Sequence, residues 1–398
     1  MTEADKGYNG LPMTQPGLPS EAYLSDAAFA RDLAAVWYRQ WIYVCRASEL
    51  AQARSYRLLD IGDQQLIVLR DEQEQLQAFH NTCRHRGSVL LTEPTGKLRG
   101  QSITCPYHAW SYSLQGELKR TPSNFCQQGF DKHALPLYDV AIVEWRGCVF
   151  INLAAEKALP LLDAMDCGGQ ALANWPLEEL QVGHTYRKEM NCNWKIFWEN
   201  FNECLHCPGV HPELSHLVPL YRRSMMEVRD DPQWVKNSAS DDPRYKAGLI
   251  SGALTWSQDG QPCDTTFTGL TAEDIARGHT YEVLLPTAFI VGHVDYVRIL
   301  RLMPLAADRT AVQAEFLFRP ETLARDDFDA SAFASFSEKV MDQDAMASEL
   351  NQQGLRSIRH QQGTLLAEEY DVHAFQNWVR QQWALLENTG NPHPGAPG

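Results

Sequence analysis

Cys83-Arg84-His85-Arg86-Gly87 and Cys105-Pro106-Tyr107-His108-Ala109-Trp110 are the stretches on which the reading of this sequence turns. Each supplies one thiol and one imidazole, as C-x-H and C-x-x-H, with 19 residues between His85 and Cys105. Two thiolates and two imidazoles also satisfy the four positions of a structural zinc site. The order separates the readings: a zinc finger usually groups its cysteines and then its histidines, whereas here each loop gives one of each. That arrangement suits a [2Fe–2S] cluster in which one iron takes both cysteines and the other both histidines. Neutral imidazoles in place of two thiolates remove charge and raise the reduction potential. The Arg86-Gly87 turn can aim N–H groups at sulfur, Pro106 stiffens the second loop, and Tyr107 and Trp110 can shield the cluster.

Outward from these loops the chain has a strand-like texture. Short apolar runs at residues 57–61, 64–70 and 75–81 are punctuated by Gly62-Asp63 and a polar stretch at 71–74. Residues 43–155 therefore read as an all-β domain carrying the Rieske-type [2Fe–2S] centre. Residues 156–388 read as α+β, with an antiparallel sheet from runs at His184–Met190, Thr280–His293, Tyr296–Leu305 and Thr310–Phe318. Helices are expected at Trp194–Cys207, Asp326–Leu350 and Ala374–Leu386. Residues 1–20 read as a mobile arm, 21–42 as one amphipathic helix packing with the second domain, and 389–398 as a disordered tail.

A second constellation lies in Asn193–His211. Glu203 and His206 are three apart, which on a helix puts them on one face. His211 would sit about 140° from His206 on an unbroken helix, and Pro208-Gly209 lets the chain bend it back. Two such histidines and one carboxylate make the facial triad of a non-haem Fe(II) oxygenase. Spacing alone leaves the carboxylate open, with Asp342 and Asp344 both attractive. Cys204-Leu205-His206-Cys207 contains a C-x-x-C, and its cysteines read as packing residues. His216 is a spare, badly spaced ligand, and the other histidines have no ligand-like neighbours.

Composition narrows the class. The 398 residues carry 35 basic and 50 acidic side chains, a net charge of −15, which argues against binding nucleic acid or anionic membrane. No apolar run approaches a membrane span, and the first twenty residues do not read as a signal peptide, so a cytoplasmic protein is expected. Ten cysteines are too dilute for a disulfide scaffold. Cys45, Cys126, Cys148, Cys167, Cys192 and Cys263 read as buried small hydrophobes.

CRHRG, CPYHAW, NWK…ENFNECLHCPGVH and DQDAMASELNQQGL, in this order, resemble the α subunits of Rieske non-haem iron ring-hydroxylating oxygenases, from about residue 21 to 385. The resemblance implies a catalytic domain of helix-grip type, an antiparallel sheet covered by helices. It implies Cys83, His85, Cys105 and His108 on the cluster, and His206, His211 and Asp344 on mononuclear Fe(II), with Asp342 outside. It makes Asn200 a further catalytic candidate and Glu203 the bridge between a Rieske histidine, His108, of one subunit and His206 of its neighbour. A homotrimer follows, because the family's two metals within one subunit are too far apart for fast transfer. NAD(P)H and flavin belong to a separate reductase, with or without a ferredoxin, since no G-x-G-x-x-G or ferredoxin cysteine run is present. This chain departs from the family in a loop about two residues longer between the Rieske half-motifs, and in Glu203, where many aromatic dioxygenases carry Asp.

The wording around Glu203 is most similar to the glycine betaine, choline, carnitine and stachydrine branch, which implies oxidation at an N-methyl of a quaternary ammonium compound. Such a pocket needs aromatic faces, for which Trp198, Trp256, Tyr281, Phe289 and Tyr296 are candidates. The rival within the class is an aromatic-ring or aryl-ether oxygenase. Outside it stand a Rieske electron-transfer protein without catalytic iron and a colourless zinc-binding module.

Overall fold

The computed structural model describes residues 7–123, 128–240, 242–245 and 248–389. The chain divides into two units, residues 33–164 with 285–287, and residues up to 32 with 165–284 and 288–389.

The expected mobile arm is largely stitched down. Strand β1 (Gln15–Pro19) forms an edge pair with a late strand, Leu18 is buried, and the Leu11 N–H donates to Ala367 O at 2.9 Å. Residues 1–6 of the arm and 390–398 of the tail lie outside the described residues. The single helix expected over 21–42 is also corrected. It breaks at Ser25, whose hydroxyl accepts from the Ala28 N–H and restarts a helix over Asp26–Asp32. A wider turn at Leu33–Trp37 follows, and strand begins at Ile42.

The first unit holds β2 (Ile42–Arg46), β3 (Ser55–Ile61), β4 (Gln64–Arg70), β5 (Leu76–His80), β6 (Thr95–Lys97), β7 (Ser102–Thr104), β8 (Ser111–Ser113), β9 (Leu118–Arg120), β10 (Ala141–Trp145) and β11 (Cys148–Asn152). They form three sheets, ordered β5-β4-β3-β6, β7-β8-β9 and β10-β11-β2. One core joins Ile67, Leu69, Phe79, Ile103 and Tyr112 with Cys83 and Cys105. The two cysteine–histidine loops thus grow out of packed strand ends.

The second unit is built on β12 (Gln181–Met190), β13 (His279–Leu284), β14 (Ala288–His293), β15 (Val297–Ala306) and β16 (Arg309–Phe318), an antiparallel sheet ordered β12-β16-β15-β14-β13. The run expected as one strand over Thr280–His293 is a hairpin, because Pro286 lacks the N–H a ladder needs. Helix Ala330–Gly354, capped by Asp329 on the N–H groups of Ser331 and Ala332, lies against β12. Strand β17 (Gln362–Leu365) pairs β1, and helix Tyr370–Thr389 closes the unit. Of the single cysteines, Cys167 is exposed, in a turn whose backbone rather than side chain faces inward through Glu282; Cys126 is outside the described residues.

Helix Trp194–Phe201 is the element that carries the site. Asn193 caps it by accepting from the Lys195 N–H at 3.0 Å. Lys195 is fully buried on Asp32, which is itself fully buried and also accepts from the indole N–H groups of Trp194 at 3.1 Å and Trp383 at 2.8 Å. Removing one partner strands the other charge in the interior. Lys195→Met is expected to cost about 3–5 kcal/mol in urea denaturation, whereas Asp32→Leu combined with Lys195→Met should cost clearly less than the two single losses summed.

Candidate active site and metal centres

In the first unit, Cys83 and Cys105 are buried, His85 is exposed and His108 is half-buried. The loop after β5 closes on Cys83, whose N–H donates to Ser88 O and whose carbonyl accepts from Gly87, held at φ +76° where glycine is favoured. The loop between β7 and β8 closes through Cys105 N–H to Trp110 O and Ala109 N–H to Cys105 O. Burial raises the Cys83 thiol. It acts the same way on Cys105, but the N–H groups of Tyr107 and His108 aimed at that sulfur outweigh it and lower the thiol.

Tyr112 Oη lies 3.3 Å from Cys83 Sγ, and the His85 and His108 rings are 4.8 Å apart. Trp110 stacks on His85 at 4.9 Å, while Tyr107 packs on His108 but remains 58% exposed and shields little. Nδ1 of His108 is buried with no hydrogen-bond partner. An orphaned imidazole nitrogen beside two buried, adjacent thiols fits a cluster bound between the loops.

In the second unit, His206, His211 and Asp344 offer ligand atoms all within 4.8 Å of one another. Their assembly differs from the sequence expectation in one respect. The helix ends at Phe201, so Glu203 and His206 do not share a helical face; they meet across a turn. Glu203 Oε2 accepts from the N–H groups of Leu205 and His206, closing that turn, while Oε1 sits 2.6 Å from His206 Nδ1. A new helical turn over Cys207–Val210, with Pro208 near its start, delivers His211. The His206 and His211 rings end 5.2 Å apart. Cys204 and Cys207, expected as separate packing thiols, form a disulfide across this turn within a buried apolar cluster.

Asp344 comes from helix Ala330–Gly354, with Oδ1 2.8 Å from His211 Nε2 and 3.4 Å from His206 Nε2. Asp342, two residues earlier on the helix, points elsewhere and accepts from Tyr186 Oη at 2.7 Å and Lys188 Nζ at 2.6 Å. Gln343 Oε1 lies 2.9 Å from His211 Nδ1. Burial opposes charge on His206, yet Asp344 and Glu203 outweigh it and raise its pKa to about 9. Burial acts upward on Asp344, but the two imidazoles prevail and lower it. The pocket draws positive charge to one point, and its donor set is the two-histidine, one-carboxylate set of Fe(II) oxygenases.

The pocket over these ligands is lined by Phe197, Asn200, Phe201, Tyr221, Trp256, Tyr281, Phe289, Arg298, Leu300 and Met341, among others. Asn200 Nδ2 lies 3.4 Å from His206 Nε2. Trp256, Tyr281 and Phe289 are therefore at the pocket. Trp198 and Tyr296 are not, and their expected places are corrected. Trp198 is fully buried between Phe197, Phe289 and Phe375, one helical step off the face that Phe197, Asn200 and Phe201 present. Tyr296 stacks on His293 and donates to Trp256 O at 3.1 Å from behind the pocket wall. Phe197 and Phe201 were readable from helical phase with Asn200, whereas Tyr221 and Arg298 carry no local signal.

Residues 177–384 match the ring hydroxylating alpha subunit (catalytic domain) family, and residues 40–135 match the Rieske [2Fe-2S] domain. The chain belongs to the ring-hydroxylating oxygenase α-subunit family. It is a Rieske non-haem iron oxygenase, a terminal component that works with a separate reductase, and its cofactors are a [2Fe–2S] cluster and mononuclear iron. It is 28% identical over 381 residues to the glycine betaine monooxygenase oxygenase subunit of Chromohalobacter salexigens, covering 91% of this chain and 84% of that one. The carnitine monooxygenase oxygenase subunit of Escherichia coli (strain K12) is 33% identical over 211 residues, covering 52% and 54%. In fold, the chain is similar to the quaternary ammonium Rieske monooxygenase CntA in complex with L-carnitine (TM-score 0.66, 22% identity, 95% and 97% covered). It is also similar to naphthalene 1,2-dioxygenase with bound indole (TM-score 0.64, 17% identity, 98% of each chain). No helix among the described residues is long and apolar enough to cross a membrane.

The hydrogen bond from His211 to Gln343 orients the ring, and such outer partners typically change metal affinity 10–100-fold. Gln343→Leu should weaken iron binding by about that factor in a chelator-competition titration, with the cluster's visible absorbance unchanged.

Proposed function

We propose that this chain hydroxylates an N-methyl carbon of a quaternary ammonium compound. The observation that carries the reading is the composition of the pocket wall. Phe201, Tyr221, Trp256, Tyr281 and Phe289 surround the space above His206, His211 and Asp344, with Phe201 and Phe289 stacked at 4.2 Å. Aromatic faces attract a methylated cation that cannot donate a hydrogen bond. The likeness to glycine betaine and carnitine oxygenase subunits supports the same substrate class.

His206, His211 and Asp344 would hold iron, and Cys83, His85, Cys105 and His108 the cluster. Bound there, the cluster would supply electrons one at a time from the reductase and the iron would supply a site for dioxygen activation. The residues around them do the positioning. Glu203 accepts the His206 Nδ1 proton and Gln343 that of His211, leaving each Nε2 lone pair directed at the shared point with Asp344. The aromatic wall seats the cation, orients one methyl toward that point and excludes water. Hydroxylation gives a hemiaminal that loses formaldehyde and leaves the demethylated amine, while the second oxygen atom leaves as water.

His108, ligating through Nδ1, would keep its Nε2 for an acceptor, and Glu203, already on His206, has the chemistry to be that acceptor on a neighbouring copy. We therefore read the assembly as a homotrimer with Glu203 as the inter-subunit bridge, and the reductase as a flavin and iron–sulfur protein.

With a flavin-dependent reductase and NADH, a trimethylammonium substrate should consume oxygen and release equimolar formaldehyde. Turnover only of aromatic rings or aryl ethers would give the reading over to its rival. Glu203→Gln should retain both metals and lose at least about 100-fold in turnover, since one removed electrostatic contact at a reacting centre costs on that order; full turnover would remove the bridge.

A further inference from the structure

The pocket over the triad is lined by four charged side chains besides the neutral wall, and three are already neutralised. Glu203 holds His206, Asp344 holds both histidines, and Lys188 is paired with Asp342. Arg298 is the exception. It is only 5% exposed, its Nε and Nη1 are buried without a hydrogen-bond partner, and no salt bridge reaches it among the described residues. Its guanidinium lies 5.8 Å from the Trp256 ring.

The sheet register fixes where that charge sits. Arg298 on β15 is opposite Val291 on β14, which is opposite Tyr281 on β13, so the three side chains share one face and one row. Leu300 and Phe289 form the next row on that face. Around Arg298 the other polar groups are hydroxyl and imidazole. Tyr221 Oη lies 3.4 Å from Tyr281 Oη and 3.4 Å from His279 Nε2. Burial, with Arg277 and Arg298 nearby, pushes the His279 pKa down to about 4, so that ring is neutral at physiological pH; Arg277 is exposed and paired with Glu273, which leaves Arg298 as the buried cation of this end.

A desolvated, unpaired guanidinium is costly, and proteins keep buried charges paired. The missing partner must be an anion that enters the pocket, and the planar fork matches a carboxylate with two parallel hydrogen bonds. We propose that Arg298 is the seat for a substrate carboxylate, which, resting on the quaternary ammonium reading, makes the substrate class a zwitterionic betaine: cation on the aromatic wall toward the triad, carboxylate on Arg298 with the Tyr281 and Tyr221 hydroxyls beside it.

The test uses the loaded enzyme with its reductase, glycine betaine as the zwitterion and choline as the cation without a carboxylate. Calorimetric binding of each under anaerobic conditions is the second readout. The wild type should favour glycine betaine in both assays. Arg298→Gln should lower the betaine-to-choline ratio of kcat/KM, and of binding constants, by about 100-fold, the loss expected for one buried charge-pair partner; Arg298→Lys should restore part of it. An unchanged ratio in Arg298→Gln with both metals retained would overturn the seat, as would a wild type indifferent to the carboxylate. If no trimethylammonium compound binds but benzoate does, and Arg298→Gln weakens it, the anion seat stands and the quaternary ammonium reading falls.

Discussion

The interaction on which this molecule is organised is the crowding of His206, His211 and Asp344 into a space less than 4.8 Å across. The carboxylates of Asp344 and Glu203 beside two imidazoles draw positive charge to that space, and the raised pKa of His206 expresses that pull. Each ligand is held by a different device. A carboxylate-closed turn holds His206, a proline-started helical turn delivers His211, and a helix lying on the sheet supplies Asp344. The buried Lys195–Asp32 pair fixes the helix that ends just before the segment carrying the first two.

The same economy appears in the outer contacts. Glu203 closes the backbone turn with one oxygen and orients His206 with the other, so local folding and ligand geometry depend on one side chain. Gln343 donates to Glu213 while facing His211, and the pair ties the ligand helix to the segment after the histidines. The aromatic wall has a similar double duty, since Phe201 and Phe289 pack on each other as well as lining the pocket.

How far the sequence could be read depends on how local each signal is. The two cysteine–histidine loops were legible because four donors lie within a span of 26 residues, and their order alone argues against a zinc finger. Asp344 lies 133 residues beyond His211, so spacing could not choose it over Asp342; the helix does, by turning the two carboxylates about 200° apart. Trp198 lies off the pocket because helical phase, and not aromaticity, selects the facing residues, and that phase puts Phe201 there instead. The break after Phe201 was invisible because Glu203–His206 has helical spacing whether or not it is helical. Arg298 gave no signal at all: within VRILRLMPLA it is one of two arginines in a largely buried strand, and only the absence of a counter-charge marks it.

The central claim is that the triad uses electrons from the cluster to oxidise a bound substrate, and anaerobic single turnover tests it most directly. The cluster is reduced chemically, the reductant removed, and oxygen added with or without a trimethylammonium compound while visible absorbance is followed. The account predicts rapid cluster reoxidation that requires the substrate, releases formaldehyde, and is lost in His206→Ala. Reoxidation that ignores both substrate and His206, or a colourless protein with no cluster to reduce, would contradict it.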